Sequence, residues 1–179
     1  MAWPDHQKEN QMGTPKNVLF LCTGNSARSV LAESLMNELG KGRFQAYSAG
    51  SKPTGLPNPF AVELLEKLGH DTSYIRSKSW DEFAEDGAPV MDYVITVCDN
   101  AAGETCPFWP GVPVGGHWGI PDPAGAGETD EENRQAFLVA HDRMKARVEA
   151  FLALDLDAMD AETRKVELAK IGQELEGKS

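Results

Sequence analysis

Cys22-Thr23-Gly24-Asn25-Ser26-Ala27-Arg28-Ser29 puts a thiol and a guanidinium at the two ends of a short glycine-containing loop. Successive backbone N–H groups of such a loop curl into a nest for a tetrahedral oxyanion, and a helix starting at its end adds a partial positive charge. Gly24 is expected to supply the positive φ that the curl needs. Arg28 offers a planar fork of donors matched to two oxyanion oxygens. The same field is expected to lower the pKa of Cys22 toward or below neutral, with Ser29 donating a hydrogen bond to the sulfur. Such a thiolate is a nucleophile. Read plainly, a cysteine ending a buried strand is a small apolar residue. That reading leaves the glycine, the arginine and the following helix start unexplained.

The flanking pattern provides the scaffold for this loop. Asn17 to Leu21 reads as a strand buried on both faces, as in a parallel sheet, and Ser29 to Leu39 as an amphipathic helix closed by Gly40. Phe44 to Ala49 is a second strand, followed by a Pro- and Gly-rich loop over Ser51 to Pro59. Pro59 to Leu68 is a helix with proline at its start and Gly69 at its end. Ser79 to Phe83 is a short capped helix, and Asp92 to Val97 a third strand that delivers Cys98. Val114 to Ile120 is a fourth strand carrying Trp118, and Pro121-Asp122-Pro123-Ala124-Gly125 is a rigid turn with one carboxylate on show. Asp130 to Leu154 is a long helix, and Asp160 to Leu175 a more charged one.

Strands alternating with helices imply an α/β fold, a three-layer doubly wound sheet of four parallel strands with flanking helices. Ligands of such sheets bind beyond the carboxyl ends of the strands, where Cys22, Cys98 and Asp122 would meet. The expected organisation is a disordered extension over 1–15, a catalytic domain over 16–155 and a helical extension over 156–179.

Composition narrows the partners. The 179 residues are 41% hydrophobic, ordinary for one soluble domain, and no apolar run reaches the roughly 18 residues of a membrane span. A net charge of −11 argues against nucleic acid and anionic membranes, whose phosphates it would repel. Met1 to Thr14 lacks the basic start and apolar centre of an export signal. Three cysteines, an odd number, fit reactive thiols in a reducing cytoplasm. His6, His70 and His141 are scattered and give no metal-ligand spacing, while His117 beside Trp118 reads as a structural hydrogen-bonder. No nucleotide-binding loop is present, which argues against a bound nicotinamide cofactor.

The CTGNSARS loop, with Asp122-Pro123 in the stretch HWGIPDPAG, resembles the low-molecular-weight protein tyrosine phosphatase superfamily over about Asn17 to Leu154. Cys98 and Cys106, and the lack of aromatic residues after Pro123, bring the resemblance closer to its arsenate reductase branch. The resemblance implies Cys22 as nucleophile, Arg28 as oxyanion binder and Asp122 as general acid. Thr23 to Ser29 would bind arsenate, with phosphate or sulfate competing. It also implies a thiol cascade: Cys98 attacks the Cys22 adduct, and Cys106 then resolves the disulfide. An external thiol system, thioredoxin or glutathione with glutaredoxin, would re-reduce the protein.

Two departures leave that reductant open. Seven residues separate Cys98 from Cys106 where thioredoxin-linked members have six, and Ala27 stands where several members carry cysteine. Ser48 is expected to steady the loop together with Asn25 and Ser26. Asn25, Glu33 and Ser48 are candidate ligands of a monovalent cation, as in some relatives; the plain reading of Glu33 is a solvated helix position. The plain reading of Cys98 and Cys106 is a strand-end cysteine and an incidental one. A tyrosine phosphatase and a non-catalytic oxyanion-binding module are the competing functions.

Overall fold

The structure is a computed structural model that describes residues 14–98, 101, 109, 111 and 113–174. Cys106 lies outside the described residues, as do nearly all of the loop expected to rearrange around it and the expected N-terminal extension up to residue 13.

Four strands form one sheet: β1 (Lys16–Leu21), β2 (Phe44–Ala49), β3 (Tyr93–Thr96) and β4 (Val114–His117), in the order β2-β1-β3-β4 and all parallel. Residue alternation along the strands divides the apolar side chains between two faces. Val18, Phe20, Ala46, Tyr93 and Ile95 pack on one side beneath the helices α1 (Arg28–Leu39), α2 (Pro59–Lys67) and α3 (Asp130–Leu152). Leu19, Leu21, Tyr47, Ala49 and Val94 pack on the other, against Phe83, Met91, Trp80 and Trp109. Such double burial explains why β1 reads as an unbroken apolar run. The doubly wound architecture expected from the sequence is the one present.

The element boundaries have local causes. α2 begins where the Asn58 side chain accepts from Phe60 N, with Pro59 in the first turn. It ends in a Schellman closure: Gly69 takes φ +82°, and His70 N donates to Leu65 O at 3.0 Å. α3 opens with a capping box between Thr129 and Glu132. It stops at Leu152, two residues short of the expected end, because Leu154 N turns back to Phe151 O at 3.1 Å in a tighter final turn.

β4 ends at His117, so Trp118 lies past the strand rather than on it. Trp118 is fully buried, with its ring 5.7 Å from Phe151 and 6.0 Å from Phe20. Its indole fills the core from the start of the turn that leads to Asp122. The charged C-terminal stretch forms α4 (Ala161–Glu174), which packs against β4 through Leu168, Ile171 and Gly172. No helix among the described residues is long and apolar enough to cross a membrane.

Candidate functional site

Cys22 is the first residue past β1, its N–H still donating to Ala49 O of β2 at 3.2 Å. From there the chain turns through Thr23–Ala27 into α1. The carbonyls of Thr23, Gly24 and Ser26 face outward and accept from Lys52, Thr54 and Asn58 N–H at 2.9, 3.0 and 2.9 Å. Ser77 Oγ adds a bond to Gly24 O at 3.1 Å. With these carbonyls tied outward, the N–H groups beyond Thr23, whose own N–H points to Cys98, are free to line an anion nest. α1 has neither an acidic residue in its first turn nor a side-chain cap, so its N-terminal donors remain available to an anion.

The residue in the left-handed region is Asn25, at φ +45°, and not Gly24 as the sequence reading expects. Asparagine tolerates that region better than most side chains, and here its amide is bonded at both ends. Nδ2 donates to Ser29 Oγ and Ser48 Oγ, each at 2.9 Å, and Oδ1 accepts from Lys78 N at 2.9 Å. These bonds hold a backbone conformation that costs on the order of 1–3 kcal/mol in isolation. Ser29 is fully buried and accepts from Asn25; the expected donation to the Cys22 sulfur is not among its bonds. Ser48 Oγ in turn donates to Glu33 Oε1 at 2.6 Å.

Glu33 is therefore no solvated helix position. It is almost fully buried, and burial pushes its carboxyl up to about 7 against the pull of Lys78 and the Ser48 bond. Lys78 is itself buried, its Nζ donating to Arg76 O at 3.1 Å. Asn25, Ser48 and Glu33 do lie together, as a cation site would need. Their side chains are committed to one another, however, and Lys78 brings the positive charge. No group of three or more His, Cys, Asp or Glu able to hold a metal occurs among the described residues.

Arg28 turns toward the segment after β4. Nη1 donates to Ile120 O at 3.1 Å, and Nη2 stands 3.5 Å from Asp122 Oδ2. Its Nε is buried without a hydrogen-bond partner, a donor left for an anion in the loop. Asp122 is 52% exposed, and its Oδ1 accepts from Ala124 N at 2.9 Å, which fixes the turn. Thr96 Oγ1 and His117 Nδ1 lie 2.7 Å apart, the structural role expected of His117.

The two thiols meet as topology suggested, but the charge sits differently. Cys22 hydrogen-bonds to Cys98, and this bond, with burial, raises its pKa far above the ordinary thiol value despite Arg28. Cys98 is lowered, first by the bond from Cys22 and then by the N–H groups of Ala101 and Thr23, each 3.4 Å from Sγ. The shared hydrogen bond thus pushes Cys22 up and Cys98 down, so Cys22 is not lowered as the sequence reading expects. The cause is tertiary: the two buried thiols share one hydrogen bond, and the N–H groups of Thr23 and Ala101 converge on Cys98 besides.

Sequence reasoning missed three contributors. Gly50 follows β2 directly under the loop, where an added Cβ would run into Thr23 O and stand 2.6 Å from Cys22 O. A glycine ending a strand beside a functional loop was the available signal. Lys78, braced by Gly50 N donating to its carbonyl at 2.9 Å, and Ile120, through its carbonyl, carry no local signature.

The comparisons with known proteins bear on this site. Residues 17–165 match the model of the family described as low molecular weight phosphotyrosine protein phosphatase. An arsenate reductase of Shouchella clausii is 38% identical over 136 residues, 76% of this chain and 94% of that protein. Among solved structures, a thioredoxin-dependent arsenate reductase of Corynebacterium glutamicum superposes with a TM-score of 0.57 at 25% identity, covering 80% of this chain and 63% of the other. A low molecular weight protein tyrosine phosphatase of T. tengcongensis gives a TM-score of 0.57 at 27% identity, covering 75% and 95%.

Proposed function

Given that the chain belongs to the low molecular weight phosphotyrosine protein phosphatase family, we propose that it is an arsenate reductase, reducing arsenate to arsenite through its own thiols. The observation that carries this reading is the second buried thiol, Cys98, in direct hydrogen-bond contact with Cys22 and met by the N–H groups of Thr23 and Ala101 at 3.4 Å each. Phosphate ester hydrolysis needs only Cys22, Arg28 and Asp122. A two-electron reduction needs another sulfur poised to attack.

On this reading the nest and Arg28 bind arsenate, and Cys22 attacks arsenic. An As–S bond forms and an As–O bond breaks. The proton given up by Cys22 and the departing hydroxide combine to water, with Asp122, beside Arg28, as the acid that delivers it. Cys98 thiolate then attacks the Cys22 sulfur. A Cys22–Cys98 disulfide forms, the S–As bond breaks and its electron pair stays on arsenic, which leaves as arsenite. Cys106 thiolate attacks Cys98 in turn, freeing Cys22, and an external dithiol or glutathione system reduces the Cys98–Cys106 disulfide.

The test is arsenite release with a thioredoxin system and, separately, with glutathione and glutaredoxin, each with wild type and single Cys→Ser variants. Mass spectrometry of Cys106→Ser after one turnover should find the Cys22–Cys98 disulfide. Cys98 unmodified at that point rules the cascade out. Aryl phosphate turnover that survives Cys98→Ser, with no arsenite formed, would favour the phosphatase reading that the loop and Asp122 also permit.

A further inference from the structure

α4 runs from Ala161 to Glu174, so most of it lies past the residues that match the family model, 17–165. It nonetheless grips the strand that leads to the acid turn. Val114 N donates to Asp92 O, just before β3, and Trp118 N to Thr96 O at its end, at 2.9 and 2.8 Å. By strand alternation His117 then turns its carbonyl to the free edge of the sheet. Gly172 of α4 sits on that carbonyl: a Cβ there would collide with His117 O and stand 3.4 Å from Trp118 Cδ1. Leu168 adds two contacts. Its carbonyl accepts from Trp118 Nε1 at 3.1 Å, and its side chain packs so closely on Gly116 that a Cβ there would lie 3.0 Å away.

Downstream of Trp118 the chain is held by the buried Ile120 side chain, by Ala124 packed on the core, and by few main-chain bonds. Arg147 Nη2 reaches Gly119 O at 3.4 Å, and Ile120 N reaches Val97 O at 3.4 Å, both long bonds. Ile120 O then receives Arg28, and Asp122 follows two residues later on an exposed turn. The place of Asp122 relative to Arg28 thus depends on how Trp118 and Ile120 are seated, and α4 holds Trp118 together with Thr96, Phe20 and Phe151.

We infer that α4 is a positioning element for the acid turn: Leu168 and Gly172 seat Trp118 and the β4 edge so that Asp122 faces Arg28 across the loop. This rests on the reading of Asp122 as general acid. A displacement of about 1 Å at such a group costs on the order of a hundredfold in rate.

The test compares Gly172→Ala and Gly172→Val with wild type, in arsenite release and in aryl phosphate hydrolysis, which draw on the same acid. kcat should fall about tenfold for alanine and about a hundredfold for valine, with KM changed less than about threefold and Cys22 alkylation without oxyanion unchanged. In an Asp122→Asn background Gly172→Val should cost nothing further, because the group it misplaces is already disabled. Amide hydrogen exchange over residues 119–124 should quicken in the variants. Equal loss in the Asp122→Asn background overturns the inference. So does unchanged exchange over 119–124, or loss of cooperative folding in both variants, which makes α4 merely part of the core. A wild type that hydrolyses aryl phosphate but releases no arsenite defeats the arsenate reading alone. If neither reaction occurs, the exchange result decides the inference by itself.

Discussion

Glu33→Gln isolates the buried carboxyl beneath the oxyanion loop while preserving an acceptor for Ser48. Glu33 in the folded chain is raised from an ordinary 4.5 to about 7, chiefly by burial. A raised acid pKa favours the protonated form, so its contribution is fully present below pH 4.5, where both states are protonated. It is lost as pH climbs toward 7, because the unfolded chain ionises first. A shift from 4.5 to about 7 corresponds to about 3 kcal/mol at 1.36 kcal/mol per unit. Urea titrations from pH 5 to 8 should therefore show wild type losing stability relative to Glu33→Gln by about that amount. In thermal melts of a domain this size the gap is roughly 6–12 °C.

Lys78 complicates the comparison in a predictable way. It is buried near Glu33, which supports its charge, while burial lowers its pKa. Removing the carboxylate leaves that ammonium less compensated and offsets part of the gain above pH 7. The double variant Glu33→Gln/Lys78→Met should recover it, and the cycle gives the coupling between the two groups. If wild type and Glu33→Gln have parallel stability from pH 5 to 8, Glu33 titrates as a surface carboxylate does, and the buried network has been misread.

Three further outcomes follow from the loop geometry. Gly50→Ala should displace the backbone of residues 22–25, since the atoms its Cβ meets are main-chain ones, and phosphate affinity by calorimetry should fall at least tenfold with fold retained by circular dichroism. Asp122→Asn should lower kcat by about 10² to 10⁴ while phosphate binding stays within a few-fold, the signature of a lost general acid. Cys98→Ser should speed alkylation of Cys22 by iodoacetamide at pH 7, because the bond to Cys98 is the largest cause holding the proton on Cys22. An unchanged rate would mean that the two thiols ionise independently.

Local rules in the chain determined most of the framework. The apolar run Val18–Leu21, the proline and glycine bracketing Pro59–Leu68 and the helical spacing of Phe137 through Phe151 read directly as elements, because burial and capping act over a few residues. The grouping of Cys22, Arg28 and Asp122 was legible for the same reason: Cys22 follows β1, Arg28 opens the helix after it and Asp122 lies in the turn beyond β4, and a parallel sheet collects such ends on one edge. What lay beyond local rules depends on chain segments far apart. Asn25 takes the strained backbone rather than Gly24 only because Ser29, Ser48 and Lys78 from three segments hold its amide. Cys22 is raised and Cys98 lowered because folding brings the two thiols into one hydrogen bond and turns the N–H groups of Thr23 and Ala101 onto Cys98, so ionisation follows the assembled environment rather than residue type.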